Sequence, residues 1–512
     1  MKKEDYLSMI HLLKVLIKKC MLKKHYEQAI QYIKLVSQIY YSTNVLFVDI
    51  ELEDLLEFIA KENMPQNNYK VNNHRIVLYD YYPNDNKGLS LQYLKGLVST
   101  GYEILYIIEK YEEIKITNIL SYVKQNAVIQ IIEVPHQKKI IDTALNLREI
   151  ICEFKPSKAL WHMCPWDVIP LLAFYNIDNL SKYQINLTDE CFWLGRNFFD
   201  YLIEFRNYGY NLSVKYRLVC REKILFLPYY PIIDVGVTDF SYSFPKDKII
   251  VLTGGSMYKI FGDSSIFYKI LVHLLNVYPH VLILFVGGGN NRLLRKIIRE
   301  NKFEKRLLLL GDRNDLHQLY AICDIYLCTY PICGGLMTQL AGIYKKPVLA
   351  YNGLCLPDNN IEELFYNLSL GKLHSFSNLN DFYMEAGKLI EDSIYREQLG
   401  NLLYKSIVSP KEFTLMMGKL LRNPKVDNYF SDYDIDITPV TNLYIEIEEK
   451  YLNTVPQALL LYLRGKALYL FPLFIVKYLL FNYLSFMKKS CGHVFLKWCI
   501  WCDKKNKSTL NL

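Results

Sequence analysis

The amino-acid sequence predicts an α/β protein in which two doubly wound domains face each other across a cleft. Three observations carry this. Short apolar runs alternate with helical stretches in two separate series, glycines recur where runs end and helices begin, and 512 residues exceed what one core usually supports.

Composition sets the class. Apolar residues make up 51% of the chain and charged residues 22%, so the sequence buries a full core and is not a disordered polymer. The formal charge of +8 is spread without an arginine-rich tract, which argues against nucleic acid and for small anionic ligands or an anionic membrane surface. The N-terminus is rich in lysine and shows no small-residue cleavage site, so no signal peptide is expected. The twelve cysteines then read as free thiols in a reducing compartment, with a cytoplasmic location expected. Cys491, His493, Cys499 and Cys502 cluster near the end. Zinc sites usually pair two ligand motifs, and the second clean pair is missing, so no metal is expected there.

Residues 1–73 read as helices, with apolar positions three and four apart in LSMIHLLKVLI, YEQAIQYIKLVSQIY and LEDLLEFIA. From Arg75 the pattern becomes strand, helix, strand: RIVLYD, then LSLQYLKGLVSTG closed by Gly101, then YEILYII. That order gives a right-handed βαβ unit. AVIQIIEV, SKALWHM, YQINLTD and EKILFLPYYP extend the first domain, over 74–232. In DYLIEFRNYGYN, the spacing of Asp200, Glu204 and Arg206 suggests a helix face with an ion pair.

A second series, over 245–423, runs from DKIIVLTGG through VLILFVGGG, RLLLLGD and IYLCTYP to PVLAY, with helical stretches between. Strand ends of an open α/β sheet line the ligand crevice. After Pro424 comes a tyrosine-rich acidic stretch and then a strongly apolar one interrupted by Arg464, Lys466 and Lys477. Its longest uncharged run, Ala467 to Val476, falls short of the roughly 20 residues needed to span a bilayer. Two readings of 424–512 stay open: interfacial helices on a membrane, or helices packed back on the N-terminal domain.

The chemistry concentrates in residues 307–351. A strand ends at Tyr330–Pro331, and Gly334–Gly335 open a helix whose unpaired N–H groups and positive dipole end suit an anion. Glycine there permits close backbone approach to a diphosphate. A glycine pair before a helix is, alone, more often a plain turn.

This passage resembles the donor-binding half of GT-B glycosyltransferases, particularly the large retaining family acting on bacterial polysaccharides and glycolipids. The resemblance rests on Cys323-Asp324-Ile325-Tyr326-Leu327, the glycine turn, its helix and Lys346-Pro347-Val348. Upstream it takes in VLTGGSMYKI, VGGG at Val286–Gly289, the loop Gly311–Leu316 and Arg221 to Pro228, about residues 75 to 420 in consistent order. It implies two Rossmann-like domains, the first for the acceptor and the second for the donor.

The resemblance also implies a donor site. A UDP- or GDP-sugar would set its diphosphate on Gly334, Gly335, Leu336, Met337, Thr338 and Lys259, beside the glycine loops at Gly254, Gly255 and Gly287. The base would lie by Asp312 and Leu316. The family's glutamate pair around the turn is absent: Ile332 and Cys333 stand at the turn, and Gln339 and Leu340 on the helix. Gln339 would bond a ribose hydroxyl. No Asp-x-Asp motif falls in a cleft-facing loop, so no metal or other cofactor is expected.

The first domain should supply the base. Asp189, in INLTDECFWLG beside Glu190, ranks first and His162, in ALWHMCPWDV, second, both at strand ends. The competing readings are a helix cap for Asp189 and a satisfied core histidine. Lys87 and Gly88 precede another helix and would touch donor phosphate or acceptor.

The function expected is transfer of a sugar from a nucleotide diphosphate to a glycan or lipid-linked acceptor in surface polysaccharide synthesis, at the cytoplasmic face of the membrane. Two rivals remain: a non-catalytic nucleotide-sugar-binding scaffold subunit and a sugar-nucleotide 2-epimerase.

Overall fold

Runs of apolar residues long enough for a strand but bounded by glycine, asparagine and aspartate give parallel strands buried on both faces. In the computed structural model, which describes residues 2–85, 89–111, 116–186, 188–230, 232, 244–245, 247–313, 315–366, 375–424 and 429–480, these form two sheets. The first contains β1 (Asn72–Asp80), β2 (Glu103–Ile108), β3 (Ile129–Glu133), β4 (Pro156–His162), β5 (Ser181–Ile185), β6 (Tyr201–Glu204) and β7 (Ile224–Phe226), ordered β3-β2-β1-β4-β5-β6-β7. The second contains β8 (Ile249–Gly254), β9 (Val281–Val286), β10 (Leu307–Gly311), β11 (Ile325–Leu327), β12 (Val348–Tyr351) and β13 (Ser375–Phe376), ordered β10-β9-β8-β11-β12-β13. Neighbouring strands run parallel throughout. Each sheet reverses its order of growth once, between β1 and β4 and between β8 and β11. Ligands of open α/β sheets bind at such switch points.

One expectation fails here. The segment read as a helix face from Asp200 to Arg206 is instead strand β6, and its helix starts only at Asn207. Four residues are too few for a period of two to show, so polar residues at either end mimicked helical spacing. Arg206 pairs with neither Asp200 nor Glu204 but with Asp189.

Three apolar clusters hold the layers. One lies between the first sheet and the N-terminal helices Lys3–Leu22, Tyr26–Thr43 and Ile50–Asn63. A second draws on both domains, joining Ile76 and Leu160 with Leu252 and Leu284, and a third covers the far face of the second sheet. Helix Pro410–Arg422 starts with a Ser409–Glu412 capping box and a proline in its first turn. It crosses from the second domain to helix Ser90–Ser99, where a Cβ on Gly96 would lie 2.8 Å from Met417 Sδ.

Past it, the chain returns to its own beginning. Thr454 Oγ1 donates to Ser42 Oγ at 2.9 Å, and Gln38 Nε2 to the Tyr462 hydroxyl at 3.2 Å. Leu459, Leu463, Ala467 and Ile475 enter the same cluster as Tyr6, Leu13 and Ile33. These last helices therefore pack back on the N-terminal body along one face. Among the described residues no helix is long and apolar enough to cross a membrane.

Close approach of helix Ser393–Lys405 to the turn after helix Gly335–Ile343 fixes the flank of the second sheet. A Cβ on Gly400 would sit 1.9 Å from the Lys345 carbonyl oxygen. Gly400→Ala should therefore destabilise the protein by about 1–3 kcal/mol, the usual cost of overpacking. An unchanged urea midpoint would show that the helix does not lie so close.

Candidate active site

A cavity of about 340 Å³ opens between the two domains at the carboxyl ends of their strands. From the second domain it is lined by the loop after β8 (Gly255, Lys259), Gly287 after β9, Asp312 and Leu316 after β10, and the turn and helix start after β11 (Gly334, Gly335, Leu336, Met337). From the first domain come Asp189 and Glu190 after β5, Phe205 and Arg206 after β6, and Tyr229.

The turn after β11 is held from both sides. Asn359 Oδ1 accepts from the Cys333 amide at 2.9 Å, and Asn359 Nδ2 donates to the Pro331 carbonyl. The helix Gly335–Ile343 then starts without a side-chain cap. Its first amides have no partner within the helix and carry its positive end into the cavity. A Cβ on Gly334 or Gly335 would meet nothing closer than 3.5 Å, so the protein's own packing does not demand glycine at either position. The loops opposite differ. Gly254 and Gly287 have positive φ, and a Cβ on either would lie 1.9 Å from a carbonyl oxygen. Those two let β8 and β9 run close together and set the floor beneath the turn.

Lys259 crosses from the loop after β8 to the turn, its Nζ donating to the Cys333 carbonyl at 2.9 Å. Burial alone would lower its pKa, but Tyr258 and Glu190 beside it outweigh that and leave it raised. A fixed cation thus stands next to a helix N-terminus, the pairing that suits a diphosphate.

Opposite them two adjacent carboxylates diverge. Asp189 is 1% exposed and clamped by Arg206, whose Nε reaches Oδ2 at 2.5 Å and Nη2 reaches Oδ1 at 2.8 Å. Arg206 Nη1 continues to the Asp358 carbonyl at 2.6 Å, tying the first domain to the second. Asp189 is thereby spent as a salt-bridge partner. Both its carboxylate oxygens thus carry a charged hydrogen bond within the protein. Glu190 is the open one. Among the described residues no side chain hydrogen-bonds its carboxylate, and burial, then the neighbouring Asp189, push its pKa up to about 7 against the pull of Lys259. Asp358 also lines the cavity. Its Oδ1 is buried without a partner among the described residues, and burial lifts its pKa to about 6.

His162 does not line this cavity. It sits at the end of β4 with Nδ1 2.7 Å from Asp80 Oδ1, while Asp80 also accepts from the Tyr106 hydroxyl at 2.8 Å. Burial opposes ionisation of Asp80, yet His162 and these donors outweigh it and lower its pKa. The histidine is a buried, oriented residue whose Nε2 has no partner among the described residues. Gly254 lies beneath the cavity rather than on it. Thr338 and Gln339 are buried in the helix, with Thr338 Oγ1 on the Gly334 carbonyl at 3.0 Å and Gln339 Nε2 on the Leu364 carbonyl at 2.9 Å. The Gln339 Nε2 is thus taken within the protein, while its Oε1 is buried with no partner among the described residues. Lys87 and Gly88 lie outside the described residues, as do Cys491, His493, Cys499 and Cys502.

Solved structures share this architecture. Anabaena HepE in complex with UDP and glucose superposes with a TM-score of 0.53 at 14% identity, over 68% of this chain and 99% of that one. TarM gives 0.51 at 12% identity, over 68% and 99%. A variant of the Thermobaculum terrenum O-GlcNAc transferase gives 0.50 at 15%, over 87% and 82%. No protein-family profile matches the chain, and no curated protein matches its sequence. The chain has the GT-B glycosyltransferase fold.

If Asp189 is structural, Asp189→Ala should lower unfolding stability by about 3–5 kcal/mol, because it strands a buried guanidinium. Guanidinium denaturation reads this directly, and an unshifted midpoint would return Asp189 to the list of chemical groups.

Proposed function

We propose that the protein is a glycosyltransferase that moves a sugar from a UDP- or GDP-sugar to a glycan or lipid-linked acceptor, in surface polysaccharide synthesis. The observation that carries this is the meeting, in one interdomain cavity, of the uncapped helix start at Gly335, the fixed cation Lys259 and the open carboxylate Glu190. The GT-B fold and a structural neighbour crystallised with UDP and glucose support it.

In this reading the diphosphate lies on the amides of the helix start and on Lys259, with the base between Asp312 and Leu316. As the bond from the sugar carbon to the diphosphate oxygen breaks, the leaving group's charge is met by the helix dipole and the lysine. Glu190 takes the proton of the acceptor hydroxyl. It can do so only when ionised, and its raised pKa keeps it a strong enough base near neutral pH.

One observation favours a second reading, a donor-binding subunit without transfer: the donor helix carries no carboxylate, and Gln339 is bonded to Leu364. Release of UDP or GDP from a panel of nucleotide sugars, with calorimetry alongside, separates the two. Binding without release or transfer under any acceptor would sink the enzyme.

Four outcomes are expected. Lys259→Ala weakens UDP or GDP binding about 10- to 100-fold, the worth of a charged hydrogen bond. Glu190→Gln lowers kcat by about 10²- to 10⁴-fold while leaving nucleotide affinity nearly unchanged. The wild-type rate rises as pH climbs through about 7, where Glu190 loses its proton, and the variant's residual rate lacks that step. A rate that falls over the same interval would remove Glu190 as the base. Turnover should also survive EDTA.

A further inference from the structure

Away from the cleft, the last described helices leave a surface that the fold does not cover. Residues 472–480 are helical, and their inner side is spent on the body: Ile475 is fully buried in the N-terminal cluster, with Phe471 and Phe474 packed against it. The outer side is apolar as well. Leu473, Val476 and Leu480 recur three and four apart, one helical face, and Leu473 is 88% exposed. On the preceding helices Tyr469 is 86% and Leu461 69% exposed, and Leu22, at the end of the first helix, is 87% exposed.

A cavity of about 790 Å³ is lined by Lys19, Lys23, Lys24, His25, Lys139 and Lys466, the last from the same C-terminal helices. Its acids are Glu27 and Asp142, and Glu27 is already accepting from the amides of Ile140 and Ile141. No ion pair joins the five lysines to a described carboxylate. Lys466 belongs to both features, standing between Leu461 and Tyr469 in the chain, and Lys23 follows Leu22 directly. The exposed apolar residues and the cationic cavity therefore draw on the same two stretches of chain.

We propose that these two features dock the protein on an anionic lipid surface, with the row sunk among the acyl-chain ends and phosphate-bearing headgroups held in the lysine cavity. Charge chooses the occupant. A second copy would bring lysine against lysine. Residues 481–512 carry six lysines and a single aspartate, so they cannot neutralise the cavity either. Apolar residues flanked by exposed Arg464, Lys466 and Lys477, with a tyrosine at the margin, match a helix lying in the interface rather than crossing it. The inference does not depend on sugar transfer, and it is read without a nucleotide.

The full chain should co-sediment with phosphatidylcholine vesicles containing phosphatidylglycerol, not with phosphatidylcholine alone, and release as salt is raised. Lys23→Ala and Lys24→Ala should each weaken binding about five-fold, and Leu473→Asp by about tenfold or more. These residues are exposed, so cleft nucleotide binding in the variants serves as the control for folding. Three results would overturn the proposal. One is no binding of the wild type to the anionic vesicles. Another is binding that none of the substitutions changes, which would move it to other residues, 481–512 included. The last is a lipid-free dimer, seen by sedimentation, that Leu473→Asp dissociates.

Discussion

The guanidinium of Arg206 is the contact on which the cleft depends. It is buried at the end of β6, where desolvation opposes its charge, and the Asp189 carboxylate outweighs that and raises its pKa. A planar fork is needed, because two nitrogens grip Asp189 while the third reaches the Asp358 carbonyl in the opposite domain. A lysine could meet one of these demands but not all three. The Tyr208 amide, two residues on, bonds Glu363 Oε2 at 2.8 Å, so the same corner joins the domains twice. This corner holds the domains together beside the cavity, with the shared apolar cluster and helix Pro410–Arg422 joining them elsewhere. The neighbouring carboxylates differ here: Asp189 is bound by the arginine, while among the described residues no side chain hydrogen-bonds the carboxylate of Glu190.

Much of this architecture was legible in the sequence because buried parallel strands write themselves as apolar runs ending in glycine. Each second-domain strand from β8 to β12 falls inside such a run. Strands β6 and β13 were not visible, since four and two residues carry no period. The site divides along the same line. Lys259 follows a glycine loop by local spacing, and a local pattern is what a sequence records. The partner of Arg206 is a contact across 17 residues and two strand ends, and nothing in spacing distinguishes Asp189 from Glu190. The surroundings of Gln339 are hidden from the sequence for the same reason. A helix position says which residues share a face, but the loop carbonyl of Leu364 that occupies its amide comes from elsewhere.

The glycines around the cleft sort into two kinds. Gly254 and Gly287 are demanded by the chain itself, through positive φ and carbonyl oxygens where a methyl would stand. Gly334 and Gly335 are not: an alanine would fit at both. Space kept clear without a neighbour to fill it is the mark of a surface shaped for something outside the polypeptide. The first kind builds the floor, and the second keeps the helix amides bare.

The return of the final helices to the first ones has a consequence for biosynthesis. Tyr6, Leu13 and Ile33 share their core with Leu459, Leu463 and Ile475, contacts that close over more than four hundred residues of chain. A polypeptide leaving the ribosome presents that apolar side of its opening helices long before the segment that covers it has been translated. Throughout elongation the nascent protein must keep a greasy seam from sticking to its neighbours, so chaperone attendance and translation speed bear on its yield more than its many short-range βα units would suggest.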